Sequence, residues 1–391
     1  MWRTVFVLLA VHFIGDFYAI LYYPALPFLR HKLGLGLGAA AMLTSVYLAI
    51  QNFAQPVFGA LSHRWGRNRL IVFGLCASAV GLSSLGFAPS VPTLFALLCL
   101  GALGIAAFHP CGAGLAGDLT ERARSVGMSF YMLGGHLGCL AGPALVPLVA
   151  QHDMRLLAPC GLAGLIFAAW FAVTRKETEH RHKAGNGCKN PGFRYAWKRL
   201  WLLHLHVAAR FVPFNFLFHA MPMLERARGV ADARVGWILS AIMLFGAIGL
   251  MLGGWLARFF SRTLLTQVSN LGAAACFLLA LQIEGWAGYG LLCAGALLGY
   301  MVMPLQIVIA HDLAPRSKSL GAGIVMGLAY GNASLMLIPL GWLSDWMLNR
   351  TGSEVMALTR SLQAAMLFFV AAAMLFAFMK RTGGVAPRPN S

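Results

Sequence analysis

Runs of roughly 17 to 25 mostly apolar residues recur about twelve times along the chain, and no other feature restricts its fold as much. A run of that length can satisfy its own backbone polar groups in lipid only as a helix. The runs fall at 4–27, 39–61, 70–88, 92–117, 126–150 and 156–174, and again at 200–223, 235–257, 264–283, 286–311, 319–342 and 362–379. They predict an all-α membrane protein of about 12 transmembrane helices in two six-helix halves. The halves are 1–174 and 200–380, joined by a cytoplasmic linker over 175–199 and followed by a cytoplasmic tail over 381–391. Composition agrees, because 391 residues of which 59% are hydrophobic and 11% charged cannot cover a soluble surface of this size.

A formal net charge of +18 would point to nucleic acid in a soluble domain. Here the basic residues sit in short clusters between apolar runs, without an aromatic and basic platform, so membrane topology accounts for them and nucleic acid is not an expected partner. Assigning alternate loops to opposite faces puts 21 of the 30 Lys and Arg on one side, which places both termini and the linker in the cytoplasm of an inner-membrane protein. Trp2, Trp170, Trp201, Trp237, Trp286 and Trp342 fall near run ends and read as interface anchors. The first run lacks a small-residue cleavage site and reads as a retained span. The eight cysteines show no CxxC pair and suggest small buried residues, with no disulfide framework and no metal site.

Inside the first run stand His12 and Asp16, four apart and therefore on one helical face. A carboxylate at the centre of a spanning helix costs about 2.5 to 3.5 kcal/mol on insertion scales. Asp16 is then either half of a structural ion pair or part of a substrate or proton path, with His12 beside it. An internal repeat sharpens the choice. At an offset of 194, DLTERARSVG from Asp118 aligns with DLAPRSKSLG from Asp312, Gly59 pairs with Gly253, and Arg64 with Arg258. The same register pairs His12 with His206 and Asp16 with Arg210, so lone charges of opposite sign hold equivalent places. In a transporter of two such halves, equivalent helices face one central cavity. Proton and anion would then be coupled through one guanidinium, the anion competing with Asp16 for Arg210.

The loop GALSHRWGRNR carries Gly59, His63, Arg64, Gly66 and Arg67, and with it the chain resembles the major facilitator superfamily. The family's loop has an acid where His63 stands, so a latch built on that acid would be weaker or built otherwise here. Taken with HFIGDFYAILYYPALPFL, FHPCGAGLAG and GGHLGCLAGP, the chain is similar to the fosmidomycin-resistance branch of that superfamily. The resemblance implies the superfamily's fold and a monomeric secondary transporter, not an enzyme. It further implies a proton gradient as energy source without cofactor, and export of drugs or small anionic metabolites. Uptake of an organic anion by proton symport is the alternative.

Each motif also has its own physics. His109 precedes Pro110 inside the fourth run, and is either a ligand-binding side chain or part of a kink. Gly134, Gly138 and Gly142 recur every four residues and predict a flat face for another helix. Asn52, Gln55, Tyr131, His136, Asn215, His219, Gln306, Tyr330 and Asn332 are further buried polar candidates for a substrate cavity or for helix–helix hydrogen bonds. With no Walker loop and no GxSxG elbow, ATP-driven pumping and covalent chemistry lack support.

Overall fold

Helix is the only regular structure the chain adopts among the described residues, as lipid demands of a backbone that cannot bond to water. The computed structural model describes residues 2–117, 121–174, 193–314 and 323–381. Most of the expected linker, the tail beyond 381 and parts of both repeated decapeptides lie outside these described residues.

The helices are α1 (Trp2–Leu33), α2 (Leu37–Phe53), α3 (Gln55–Trp65), α4 (Arg67–Ser83), α5 (Val91–Gly117), α6 (Glu121–Ala150) and α7 (Ala158–Thr174). They continue with α8 (Phe193–Ala227), α9 (Asp232–Leu256), α10 (Arg262–Ala280), α11 (Trp286–Tyr300) and α12 (Met303–Leu313). A π-turn over Ile324–Leu328 leads into α13 (Ala329–Leu335), then α14 (Leu337–Thr351) and α15 (Glu354–Arg381).

By length and hydropathy, 10 described helices or helix pairs can cross a membrane, and 11 when α2 and α3 count as one span bent by 40°. The bend has a local cause. Pro56 lies in the first turn of α3 and has no amide hydrogen, so the ladder is interrupted where the second span was expected to run through. The third expected span, 70–88, is shorter than its apolar run suggests: α4 has 17 residues and gives way to a 3-10 turn at Leu85–Phe87.

The outer faces confirm the solvent. On α7 the buried residues are Gly161, Gly164, Ala168 and Phe171, while Leu162, Ile166, Trp170 and Val173 point outward. Three of the four buried residues are small while large apolar side chains face outward, an order that differs from a soluble helix and suits contact with lipid chains. All six tryptophans expected at run ends are exposed.

The chain divides into two compact units, Met1–Ala184 with Phe218–Met243, and Gly185–Leu217 with Leu244–Ser391. In the first, α1 lies along α6 in an extensive contact. The glycine ladder of α6 allows this. A Cβ at Gly134 would strike the α1 backbone at Leu9, one at Gly138 that at Phe13, and one at Gly142 the Ile20 side chain. The predicted flat face therefore exists, and α1 is its partner. The stretch Phe218–Met243 is tied into the same unit by His219 Nδ1 to Thr44 Oγ1, 2.9 Å, and by Ser240 Oγ donating to Leu140 O, 2.8 Å. In the second unit, α10 packs on α11 and on α15, around Phe214, Phe277 and Phe369.

Candidate functional site

The ladder between α1 and α6 places His12 and Asp16 where α5 can meet them. Asp16 Oδ2 lies 3.2 Å from His12 Nε2 and Oδ1 lies 3.0 Å from His109 Nε2, the i,i+4 pair joined by a long-range partner. The three side chains are 15%, 6% and 23% exposed. Tyr131 of α6 frames them. Its carbonyl is 2.8 Å from His12 Nδ1, its ring stacks on His12 with centroids 4.0 Å apart, and its hydroxyl donates to the His109 carbonyl at 3.1 Å. Cys139 Sγ donates to Asp16 Oδ2 across 3.9 Å. Gly135 leaves the room, since a Cβ there would come 2.6 Å from Asp16 Oδ2 and 2.7 Å from the His12 ring.

The hydrogen bonds fix what this arrangement can do. His12 Nδ1 faces the Tyr131 carbonyl and His109 Nδ1 faces the Ile105 carbonyl at 3.1 Å. A carbonyl only accepts, so both Nδ1 atoms carry a proton. Each Nε2 of a neutral ring then presents a lone pair to a carboxylate oxygen, which also only accepts when ionised. Each of the two gaps is closed by one added proton. The cluster has a net charge of −1 with neither proton, zero with one and +1 with both. The ligand atoms of the three residues all lie within 4.8 Å of one another, near enough to share a cation. Because each imidazole takes a different carboxylate oxygen, the geometry is that of two separate hydrogen bonds.

The second unit repeats the pattern with the opposite result. His206, which the repeat pairs with His12, donates from Nδ1 to Ala372 O at 2.8 Å, and its Nε2 meets the Gln306 amide nitrogen at 3.3 Å. His204 likewise uses Nδ1 on Ile324 O at 3.0 Å and Nε2 on the Asn332 amide at 3.0 Å. An amide brings its own hydrogen, so these imidazoles are satisfied while neutral. Arg210, the counterpart of Asp16, is fully buried. Its Nε donates to Asn270 Oδ1 at 3.1 Å and its Nη2 to Ser269 Oγ at 3.4 Å and to the Gly299 carbonyl. Asp16 is thus met by imidazoles within the first unit, and Arg210 by amide, hydroxyl and carbonyl oxygens within the second.

Of the remaining candidates, Tyr330 stacks on Phe211 with centroids 3.6 Å apart, and His219 is bonded to Thr44. His136 Nδ1 turns back to Met132 O and Asn52 donates to Leu48 O, both within their own helices. Gln55 sits at the α2–α3 break and Asn215 is half-buried on α8. In the loop, His63 and Arg64 are exposed, Gly66 has a φ of 82° that makes the turn, and Arg67 packs against Gly114. Arg258 is exposed in the turn after α9. Sequence reasoning did not single out Asn270, Ser269, His204, Gly135 or Cys139. Asn270 and His204 were visible as polar residues in apolar runs, whereas Gly135 had no signal beyond its neighbour in the ladder.

Comparisons with known proteins agree with this architecture. The family model described as Major Facilitator Superfamily matches residues 5–331. The transporter YfnC of Bacillus subtilis (strain 168), itself uncharacterised, is 25% identical over 344 residues, 82% of this chain and 81% of its own length. The fosmidomycin resistance protein of Escherichia coli (strain K12) is 23% identical over 344 residues, 85% of this chain and 84% of its own. A crystal structure of a bacterial homologue of the human lysosomal transporter Spinster superposes with a TM-score of 0.83 at 16% identity, covering 99% of this chain and 98% of that one.

Proposed function

The chain belongs to the Major Facilitator Superfamily, and from that premise we propose a proton-coupled secondary transporter of the cytoplasmic membrane that exports drugs or small anionic metabolites. The observation that carries the coupling is the Asp16 carboxylate between two imidazoles whose Nδ1 atoms are already committed. No other cluster among the described residues pairs a carboxylate with two histidines. Export is supported by the likeness to a fosmidomycin resistance protein, and the cytoplasmic position of both termini by the distribution of Lys and Arg.

As an exporter, the protein would accept protons on His12, Asp16 and His109 from the outside and release them inside, exchanging them for substrate moving out. A second reading, uptake of an organic anion with protons, is favoured by the charge of the cluster. Two added protons make it cationic, and a cationic cluster attracts an anion.

Inside-out vesicles with an imposed pH gradient separate the readings, with fosmidomycin as the probe. Export predicts accumulation in vesicles acidified inside, and Asp16→Asn abolishes that response while leaving gradient-independent exchange of the probe. Accumulation only in vesicles made alkaline inside selects uptake instead. A response of Asp16→Asn equal to the unmodified protein removes Asp16 as the proton carrier.

A further inference from the structure

Arg210 is a cation in a place where nothing described offsets its charge. It is fully buried, and among the described residues no carboxylate lies within ion-pair distance of it. Its Nε and Nη2 edge is fixed by Asn270 Oδ1, Ser269 Oγ and the Gly299 carbonyl, all neutral acceptors. Ser269 gives its own proton to Leu298 O at 2.7 Å, which leaves its oxygen turned to the guanidinium. Two buried donors are left over in this cluster: Arg210 Nη1 and Asn270 Nδ2 have no hydrogen-bond partner.

A buried charge without a counter-charge, and a buried N–H without an acceptor, are each among the costlier features a core can contain. Lipid offers no water to relieve them. Here they coincide on adjacent side chains. The one bond that Asn270 makes through Oδ1 both immobilises the Arg210 fork and turns the amide nitrogen away as a second donor. A site whose donors outnumber its acceptors, and whose charge is +1, is complementary to a group that brings acceptors and one negative charge.

We infer that Arg210 and Asn270 form the receptor for the anionic group of the transported molecule, a phosphonate, phosphate or carboxylate, with Nη1 of Arg210 as the presented donor and Asn270 as its positioning residue. The inference rests on the reading of the chain as a small-molecule transporter, but not on how protons drive it. Ser269 and Gly299 O keep the guanidinium from collapsing onto any one partner when the anion leaves. Arg210 is the one cation of this cluster, so phosphate and phosphonate are recognised as their monoanions.

The test is anion-dependent thermal stabilisation of the full-length protein in detergent without a pH gradient, so that it is independent of proton coupling. The probes are inorganic phosphate, methylphosphonate and acetate, with acetamide as the uncharged control. A ligand that binds only the folded state raises Tm with its concentration. The unmodified protein should be stabilised by at least one of the anions and not by acetamide. Asn270→Asp supplies Arg210 with a permanent carboxylate, so it should fold at least as stably and lose the anion response. Asn270→Ser, which keeps a neutral acceptor, should retain the response with an affinity lowered about tenfold. Arg210→Gln, if it folds, should lose it too. An equal response in Asn270→Asp and the unmodified protein would overturn the assignment, and so would absence of any response to all three anions at 50 mM. Failure of the Asp16→Asn vesicle experiment would leave this result standing, which keeps the two readings separable.

Discussion

At the scale of single residues, the chemistry of the first unit turns on which nitrogen of each histidine is engaged. His12 and His109 face an acceptor on both nitrogens; His204 and His206 face a carbonyl on one side and an amide on the other. Replacing one imidazole by an amide should convert the first arrangement into the second. In His109→Gln the amide hydrogen closes the gap to Asp16 Oδ1 without a proton, so protons taken up per transport cycle should fall by one. Substrate binding at fixed pH should change less than threefold. Proton uptake recorded with a pH indicator in weakly buffered vesicles checks this, and an unchanged stoichiometry argues against His109 as a proton ligand. Much of this was legible beforehand, because the spacing of His12 and Asp16 puts them on one face and His109 stands beside a proline inside an apolar run. What was not legible is that His109 reaches Asp16, since a contact between residues 93 apart depends on how α5 packs, not on any local pattern. For Asn270 the difficulty was different: one asparagine in an apolar run looks the same whether it bonds a neighbouring helix or steadies a buried cation.

At the scale of helices, the four-residue period of the three ladder glycines in α6 was readable and its partner was not. The contact is so close that side chains are excluded from it, and this gives a quantitative expectation. Gly138→Leu should force α1 off α6, at a cost of about 1 to 3 kcal/mol of stability typical of overpacking. Gly254→Leu, on α9, has nothing within 4 Å of its Cβ and serves as the control. Thermal unfolding in detergent compares them, and equal midpoints would show that the ladder bears no packing. The hydropathy pattern predicted the number of spans well but could not show their interruptions. Pro56 in the second span and the π-turn at Ile324–Leu328 leave the apolar content unchanged and alter only the backbone ladder. His204 takes the carbonyl of Ile324 at that turn, so the irregularity is met by a side chain.

At the scale of the whole molecule, the loop carrying His63 offers a test of the conformational cycle. His63 is exposed at the end of α3, where the family pattern has an acid. Restoring it with His63→Asp should alter transport rate by severalfold with little change in apparent affinity, and should shift the reactivity of single cysteines introduced on opposite ends of the spans. Equal labelling at both ends in variant and parent would dismiss the idea. The division of labour between the units bears on the same cycle. The cluster of His12, Asp16, His109 and Tyr131 draws on α1, α5 and α6, all in the first unit, and the guanidinium cluster on α8, α10 and α11 within the second. The partners named for each lie, among the described residues, inside one block. If the blocks rock as rigid bodies during transport, neither cluster has to be dismantled and rebuilt on each turn. On the proposed reading, proton and anion ride as passengers in separate carriages, and what changes between inward and outward states is the door each faces, not the seat that holds it.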